Sequence, residues 1–381
     1  MKTLEEIGNL QGRSNAYNRW ATFGPYYAMF PIDFAFKVVD KYSKPNDYIL
    51  DPFAGRCSSV YAGGVLGRNS FGIEINPVGW LYGQTKLAPA KKEDVLDRLL
   101  DIYNGRDNYT KQAYNLSKFF RKCFCVEVRK FLLSARENLD WKNNDVDATL
   151  MSVLLVYLHG KLGEGMSNQM RQTKAMGLNY SINWWIKNGL EKPPKVNPLE
   201  FIAKKIEWRY AKGIPEVRTD SKVIFGDATL NIQDLVTKAN EENVKFSLLF
   251  TSPPYWSIVD YHTDQWLRLW LLGGLPYPKT NMEKYKGRFN SKIDYYNLLD
   301  TVFGESAKMM KDDATIFVRT DARKFTLNTT KEILVKHFPN HKLIEQPKPF
   351  KKKTQTELFN RTNTLPKEKY GEIDLILTNK K

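Results

Sequence analysis

The chain has 381 residues and 42% apolar content, enough for one large domain with an elaborate insertion or for two modest domains. A formal net charge of +16 makes a polyanion the economical partner, and no apolar run approaches the ~20 residues of a bilayer span. The three cysteines give no disulfide framework, Cys123 and Cys125 lack partners at metal-ligand spacing, and charges arrive at Lys2, Glu5 and Glu6 before any apolar core. A cytoplasmic, nucleoid-associated protein with no metal site is expected.

Residues 1–21 are polar and read as irregular, with Tyr17, Trp20 and Phe23 placed to pack on the body. Residues 30–88 predict helix, strand, helix, strand, helix, the start of a parallel α/β sheet. The first strand, Tyr48-Ile49-Leu50, runs into Asp51-Pro52-Phe53-Ala54-Gly55-Arg56-Cys57, a small-residue turn that opens a helix at Ser58. Ligands of doubly wound sheets sit beyond strand carboxyl ends, where a glycine lets them approach the backbone. The second strand, Ser70-Phe71-Gly72-Ile73-Glu74-Ile75, carries an acid near its end, suited to paired ribose hydroxyls. The glycines of Ala62-Gly63-Gly64-Val65-Leu66-Gly67 are expected to serve close helix–sheet packing.

From Glu93 to about Tyr210 the spacing turns helical, with Val95, Leu96, Leu99, Leu100 and Tyr103 on one period and Leu150, Val153, Leu154 and Tyr157 on another. This predicts three segments: residues 22–90 as the first part of a cofactor-binding domain, 91–215 as a helical insertion forming a lobe over the cleft, and 216–381 as the remainder. Within the insertion, His159-Gly160-Lys161-Leu162-Gly163-Glu164-Gly165-Met166-Ser167-Asn168-Gln169 is a polar glycine-rich loop whose spacing fits no phosphate-binding fingerprint. Asn168 and Gln169 suit adenine edges, and Lys161 and Arg171 suit guanine or phosphate, so the loop is expected to lie near nucleic acid. Tyr180–Ile186 reads as a packed helix.

Strands resume at Val223 and are expected at Phe246–Phe250, Ala314–Arg319 and Ile373–Thr378. The Phe246–Phe250 strand ends abruptly in Thr251-Ser252-Pro253-Pro254-Tyr255-Trp256. Two prolines force a rigid, extended loop that exposes carbonyl oxygens, one small hydroxyl and an aromatic face, groups suited to a planar, amino-bearing base. Glu242-Asn243-Val244 matches a tripeptide of ring-carbon cytosine methyltransferases, but the chain has no Pro-Cys dipeptide and therefore no nucleophile for that chemistry. Basic clusters interleaved with aromatics lie at Lys284-Tyr285-Lys286-Gly287-Arg288 and at Lys348-Pro349-Phe350-Lys351-Lys352-Lys353, a pattern for phosphates and exposed bases.

Taken together, the Asp51–Gly55 turn, Glu74, the Val223-Ile224-Phe225-Gly226-Asp227-Ala228 segment, the Gly24–Pro31 segment and the Ser252–Tyr255 loop resemble the amino-group DNA methyltransferases that use S-adenosylmethionine. The resemblance implies a doubly wound, mostly parallel Rossmann-like sheet. It implies that Asp51, Pro52, Phe53 and Gly55 hold the methionine part of the cofactor and Glu74 the ribose. Asp227 faces the adenine, with Pro31, Ile75, Ala228 and Thr251 completing the cofactor site. It further implies that Ser252, Pro253, Pro254 and Tyr255 form the catalytic base site, the Ser252 hydroxyl and the Pro253 carbonyl accepting from the amino group and Tyr255 stacking on a base rotated out of the duplex. One departure is Cys57, where the family has a glycine; a side chain there restricts the backbone at the edge of the cofactor pocket, and because cysteine is small, cofactor binding is expected to be retained. In this family a serine at the first loop position goes mostly with cytosine N4, so N4-cytosine is favoured over N6-adenine. RNA base methylation and a cofactor-impaired nucleic-acid-binding protein remain the alternatives. The expected partners are double-stranded DNA, with Lys351, Lys352 and Lys353 on phosphates, and a possible cognate restriction endonuclease.

Overall fold

Short apolar runs bounded by turn residues become strands here, and stretches of helical period become the layers around them. The computed structural model describes the chain except residues 1–2, 9–12, 27–28, 219, 257–260, 280–290, 349–370 and 381. In chain order the elements are α1 (Leu4–Ile7), α2 (Ala16–Ala21), α3 (Ile32–Tyr42), β1 (Tyr48–Asp51), α4 (Ser58–Val65), β2 (Asn69–Glu74) and α5 (Pro77–Leu87). The insertion follows as α6 (Lys92–Asn104), α7 (Thr110–Asn115), α8 (Lys118–Cys123), α9 (Val126–Asn138), α10 (Asp145–Tyr157), α11 (Leu178–Lys187) and α12 (Pro198–Tyr210). The chain then returns to the sheet with β3 (Lys222–Phe225), α13 (Ala228–Glu241), β4 (Phe246–Thr251), α14 (Tyr261–Leu271), α15 (Lys292–Lys308), β5 (Met310–Asp321), α16 (Lys324–His337), β6 (His341–Lys348) and β7 (Glu372–Asn379).

The sheet has seven strands in the order β3-β2-β1-β4-β5-β7-β6. β3, β2, β1, β4 and β5 pair in parallel, while β7 runs antiparallel between β5 and β6. This is a doubly wound, mostly parallel Rossmann-like sheet, and its strand order reverses between β1 and β4. Alternation along β4 splits the core: Leu248 and Phe250 face one side, Leu249 the other. α13, α15 and α16 cover the Leu249 side. α3, α4 and α5 cover the opposite side, and the insertion shares their core through Val95, Leu132, Leu154 and Trp185. Asparagine caps set the helix starts: Asn76 accepts from Val78 N before Pro77 of α5, and Asn144 and Asn197 cap α10 and α12. Among the described residues no helix is long and apolar enough to cross a membrane.

The glycines of α4 pack as expected, since a Cβ at Gly63 would meet Ser70 and one at Gly64 would meet Val217 and Ser221. Elsewhere the structure differs from the sequence reading. Residues 1–21 contain two short helices, and the Asn15-capped α2 buries Trp20 edge-on against Tyr210 at 5.1 Å. β6 has no counterpart in the sequence reading because His341-Lys342-Leu343-Ile344-Glu345-Gln346-Pro347-Lys348 is mostly exposed and charged, as suits the edge of a sheet. Glu242-Asn243-Val244 is a helix terminus. Asn243 is left-handed at φ 52°, and Val244 N donates to Ala239 O at 2.7 Å, closing α13 in a Schellman turn.

Candidate active site

Parallel pairing of β1 with β4 at the point of reversal brings two loops to adjacent strand ends: the Pro52–Cys57 turn after β1 and the Ser252–Tyr255 loop after β4. A bond across that point fastens them, Thr251 Oγ1 donating to Asp51 Oδ1 at 2.6 Å. Asp51 also accepts from Ser59 Oγ and from Phe53 N at 3.2 Å, and is 2% exposed. Burial raises its pKa to about 6 against the pull of those donors. These bonds from Thr251 and Ser59 to Asp51 join β1, β4 and α4. Pro52 is buried, and Phe53 leans toward Phe303 of α15 at 6.4 Å, so these residues too shape the turn from inside.

The turn itself is open where a ligand would approach. Gly55 is left-handed at φ 54°, and a Cβ there would find only the edge of the Tyr26 ring within 4 Å. Its N–H donates to Glu74 Oε2 at 2.7 Å, and Asn76 N donates to Glu74 Oε1 at 2.7 Å, so the acid at the end of β2 is held beside the turn. Burial pushes Glu74 up to about 8, opposed by those two amides. Beyond it Ile75 is exposed at 37%, as is Phe225 at the end of β3. Asp227, half-buried, caps α13 by accepting from Thr229 N at 2.9 Å, and Ala228 begins that helix. Pro31 stands half-buried at the start of α3, beside Phe30, which stacks on Phe250 at 4.6 Å. Two carboxylates and two exposed apolar side chains at neighbouring strand ends fit a purine nucleoside. Glu74 would hold its ribose, Ile75 and Phe225 its base face, Asp227 its amino edge, and the Gly55 turn the amino-acid tail.

Cys57 occupies the left-handed region at φ 58° and its side chain is fully buried, turned under α5 so that a Cβ at Gly83 would collide with Sγ. Burial also pushes the thiol up, so Cys57 is a packing group and leaves the cofactor side of the turn clear. Gly83→Ala is expected to cost about 1–3 kcal/mol by overpacking against this sulfur. Thermal denaturation checks it: Cys57→Gly should restore most of the loss in the double variant. Behind the turn lie two buried basic side chains that sequence reading missed, the pKa of both pushed down by burial. Lys86 Nζ donates to Arg56 O, and Arg56 Nη1 to Gly24 O at 3.3 Å, fastening the turn to α5 and to the segment before α3.

On the base side, Ser252 and Pro254 are half-buried and Pro253 is buried. The aromatic face expected of Tyr255 is not exposed: the residue is 1% accessible and its hydroxyl donates to Glu372 Oε1 of β7 at 3.2 Å. The loop's exit is also fixed from β5. Arg323 is forked onto Asp321 at 3.0 and 2.9 Å and donates to Trp256 O at 2.5 Å. Arg319 is paired bidentately with Asp374 at 2.5 and 2.8 Å, and its guanidinium lies 3.8 Å from the Phe34 ring centre. Asp321, Arg323 and Glu372 went unassigned in the sequence because their only signal is polarity at the ends of otherwise apolar strands.

The glycine-rich loop divides in two. Lys161 and Arg171 are exposed, but Asn168 is fully buried: its Nδ2 donates to Lys122 O at 3.2 Å and Leu190 O at 2.7 Å, while its Oδ1 accepts from Gln169 N. Gln169 Oε1 accepts from Leu162 N at 2.9 Å, and its carbonyl accepts from Trp185. Asn168 is thus closed to a base edge inside the loop, which corrects its assignment as a base reader, while Gln169 is half-buried and braces Leu162. The loop's onward path holds α14, the helix downstream of the Ser252–Tyr255 loop: Ala175 N donates to Asp264 O, and Arg268 donates to Leu155 O and Gln172 O. Asn168→Ala is therefore expected to destabilise the fold by about 1–3 kcal/mol through unpaired buried carbonyls, read as a lower denaturation midpoint. Lys351–Lys353 and Lys284–Arg288 lie outside the described residues.

A family model described as a DNA methylase, of the N6/N4 methyltransferase type, matches residues 5–78. The type II methyltransferase M.MthZI of Methanothermobacter thermautotrophicus is 37% identical over 49 residues, which are 13% of this chain and 14% of that one. The type II methyltransferase M.MjaII of Methanocaldococcus jannaschii is 27% identical over 118 residues, 28% of this chain and 22% of that one. The aligned stretches thus span under a quarter of either relative. Among solved structures, the rRNA methyltransferase aviRa of Streptomyces viridochromogenes covers 97% of this chain and 95% of its own at 11% identity and a TM-score of 0.33, and the fold assignment rests on the sheet order instead. The matched segment contains both the Gly55 turn and Glu74, and together with the type II relatives it supports an amino-group, N6/N4-type DNA methyltransferase.

Proposed function

We propose that this protein transfers a methyl group from S-adenosylmethionine to the exocyclic amino group of a base in duplex DNA, with cytosine N4 as the target. The observation that carries the reading is the meeting of the Gly55 turn and the Ser252 loop at adjacent ends of β1 and β4, joined by the bond from Thr251 to Asp51. A donor site and an acceptor site then face one crevice at the switch point of the sheet, where orientation supplies much of the acceleration. When bound, the cofactor supplies an electrophilic methyl carried on a sulfonium.

The chain's own contribution is positional and electrostatic. An exocyclic amino nitrogen is a weak nucleophile because its lone pair is delocalised into the ring. Ser252 Oγ and the Pro253 carbonyl accept its hydrogens, favour a pyramidal nitrogen and stabilise the positive charge that develops on it. The base reaches them only after rotating out of the duplex. The amino proton leaves to solvent after transfer. Lys161 and Arg171 on the exposed half of the glycine-rich loop, together with Lys351–Lys353, contact phosphates and position the duplex without reading it. A cognate restriction endonuclease is the proposed companion of an enzyme of this kind.

The test is incubation with S-adenosylmethionine labelled in the methyl group and duplex DNA of mixed sequence, followed by digestion to nucleosides. N4-methylcytosine is the expected product. N6-methyladenine would move the target base, label in RNA alone would change the polymer, and no label in either would refute the activity.

A further inference from the structure

The insertion fastens α11 to the helix that follows the Ser252–Tyr255 loop and leaves one face of α11 open. The segment leading into α11 runs along α14: Gln265 Nε2 donates to Thr173 O at 3.4 Å, Ala175 N to Asp264 O at 3.0 Å and Trp266 Nε1 to Met176 O at 3.2 Å. α14 begins at Tyr261, five residues after Trp256, a reach of at most about 18 Å. The inner side of α11 is closed. Ser181, Ile182 and Trp185 are buried, and Trp185 lies 5.5 Å from Phe119 and donates to Gln169 O at 2.7 Å. At about 100° per residue, Ile186, Asn179, Asn183, Lys187 and Tyr180 share one continuous arc opposite. All five are exposed, Tyr180 at 62%, and half-buried Trp184 borders them.

Charge says what this face meets. Between Glu164 and Glu191 the chain has no acid, yet it carries Arg171, Lys174 and Lys187. Lys174 pairs with Asp264, whereas Arg171 and Lys187 are exposed. Two amides flanked by cations complement a duplex better than an apolar protein surface. We propose that α11 is the recognition helix of this protein: it enters the major groove of duplex DNA and reads base pairs beside the target, with Asn179 and Asn183 on adenine edges and Ile186 on a thymine methyl. The major groove, about 12 Å wide, admits a helix of this bulk. An asparagine amide offers a donor and an acceptor together, which match adenine N7 and N6 bidentately. Asn179 and Asn183 are one turn apart and reach neighbouring base pairs, and the 10 residues of α11 extend about 15 Å, or about four base-pair steps. Lys187, Tyr180 and Arg171 hold phosphates along the groove. The methylated site therefore contains at least one A·T pair beside the target base. The inference rests on duplex DNA being the substrate.

Duplexes of randomised sequence test it in two ways, by selecting those that the protein binds and by mapping the methyl groups it adds. The parent should enrich and methylate one motif containing an A·T pair. Asn179→Ala and Asn183→Ala should each relax one A·T position, discrimination there falling about five- to hundredfold, the size of one bidentate contact, while other positions keep their preference. Affinity for S-adenosylmethionine and the denaturation midpoint should match the parent's, because both side chains are exposed. Lys187→Ala should instead weaken binding to every duplex alike and reduce the slope of log affinity against log salt by about one. An unchanged motif in both asparagine variants, a loss spread evenly over all positions, or a parent that enriches no motif would overturn the role of α11. Selection by binding needs no methyl transfer. A parent that enriches the motif but leaves it unmethylated would refute the proposed function while the motif still decides α11.

Discussion

Glu74→Gln is expected to weaken S-adenosylmethionine binding by about 1–3 kcal/mol, through loss of charge-assisted bonds to the ribose and of the brace on the Gly55 turn. The second part of that loss is visible only in the structure, where both carboxylate oxygens accept from backbone amides at 2.7 Å. A pH dependence follows from the burial that raises Glu74 to about 8. Ribose hydroxyls donate to the ionised form, so affinity should rise as pH climbs from 6 toward 8, by at most about tenfold per pH unit, and level off above 8. The stability term has the opposite sign. The folded pKa lies above the ordinary 4.5, so the folded state binds the extra proton, and this group's contribution to stability declines as pH rises between about 4.5 and 8. Calorimetric titration of the cofactor across pH 6–9 checks the binding claim. A Glu74→Gln protein with parental affinity and a parental pH profile would remove Glu74 from the cofactor site.

Ser252→Ala should lower kcat about 10²–10³-fold, the loss typical of removing one preorganised group that stabilises developing charge. Cofactor affinity should stay within about twofold, because Thr251 and Asp51, which tie the two loops together, lie on the strand side of Ser252. Single-turnover rates with saturating cofactor isolate the chemical step, and calorimetry gives the affinity. If the rate fell less than threefold, the hydroxyl would not be the acceptor for the amino group. If rate and cofactor affinity fell together, Ser252 would be shaping the turn.

These two variants divide along the line between donor and acceptor sites, and Cys57 sits on neither side. Its sulfur faces Gly83, and the strain of a left-handed residue without the freedom of glycine, about 1–2 kcal/mol, is borne within the fold. A residue that looks like damage to a cofactor turn is thus a matched packing pair with α5.

The sequence alone determined the class of the sheet, the strands β1 to β5 and β7, the helical insertion between β2 and β3, and the two loops at the switch point. Those features are local: proline, glycine and strand-end acids act through the conformations of a few neighbouring residues. It also showed the strong positive charge that points to a polyanion. The tertiary structure decided what each polar side chain faces. Asp51 ends a strand beside the turn, and its oxygens accept from Ser59 and from Thr251, two hundred residues away. Asn168 looks like a base reader because it lies in a polar loop, but the carbonyls that claim its amide come from Lys122 and Leu190. Glu372 looks like an ordinary first residue of a strand until β7 pairs with β5 and brings it to the Tyr255 hydroxyl. Period and propensity are set by near neighbours in the chain, whereas the cost of burying a polar group is settled by whichever distant partner the fold delivers.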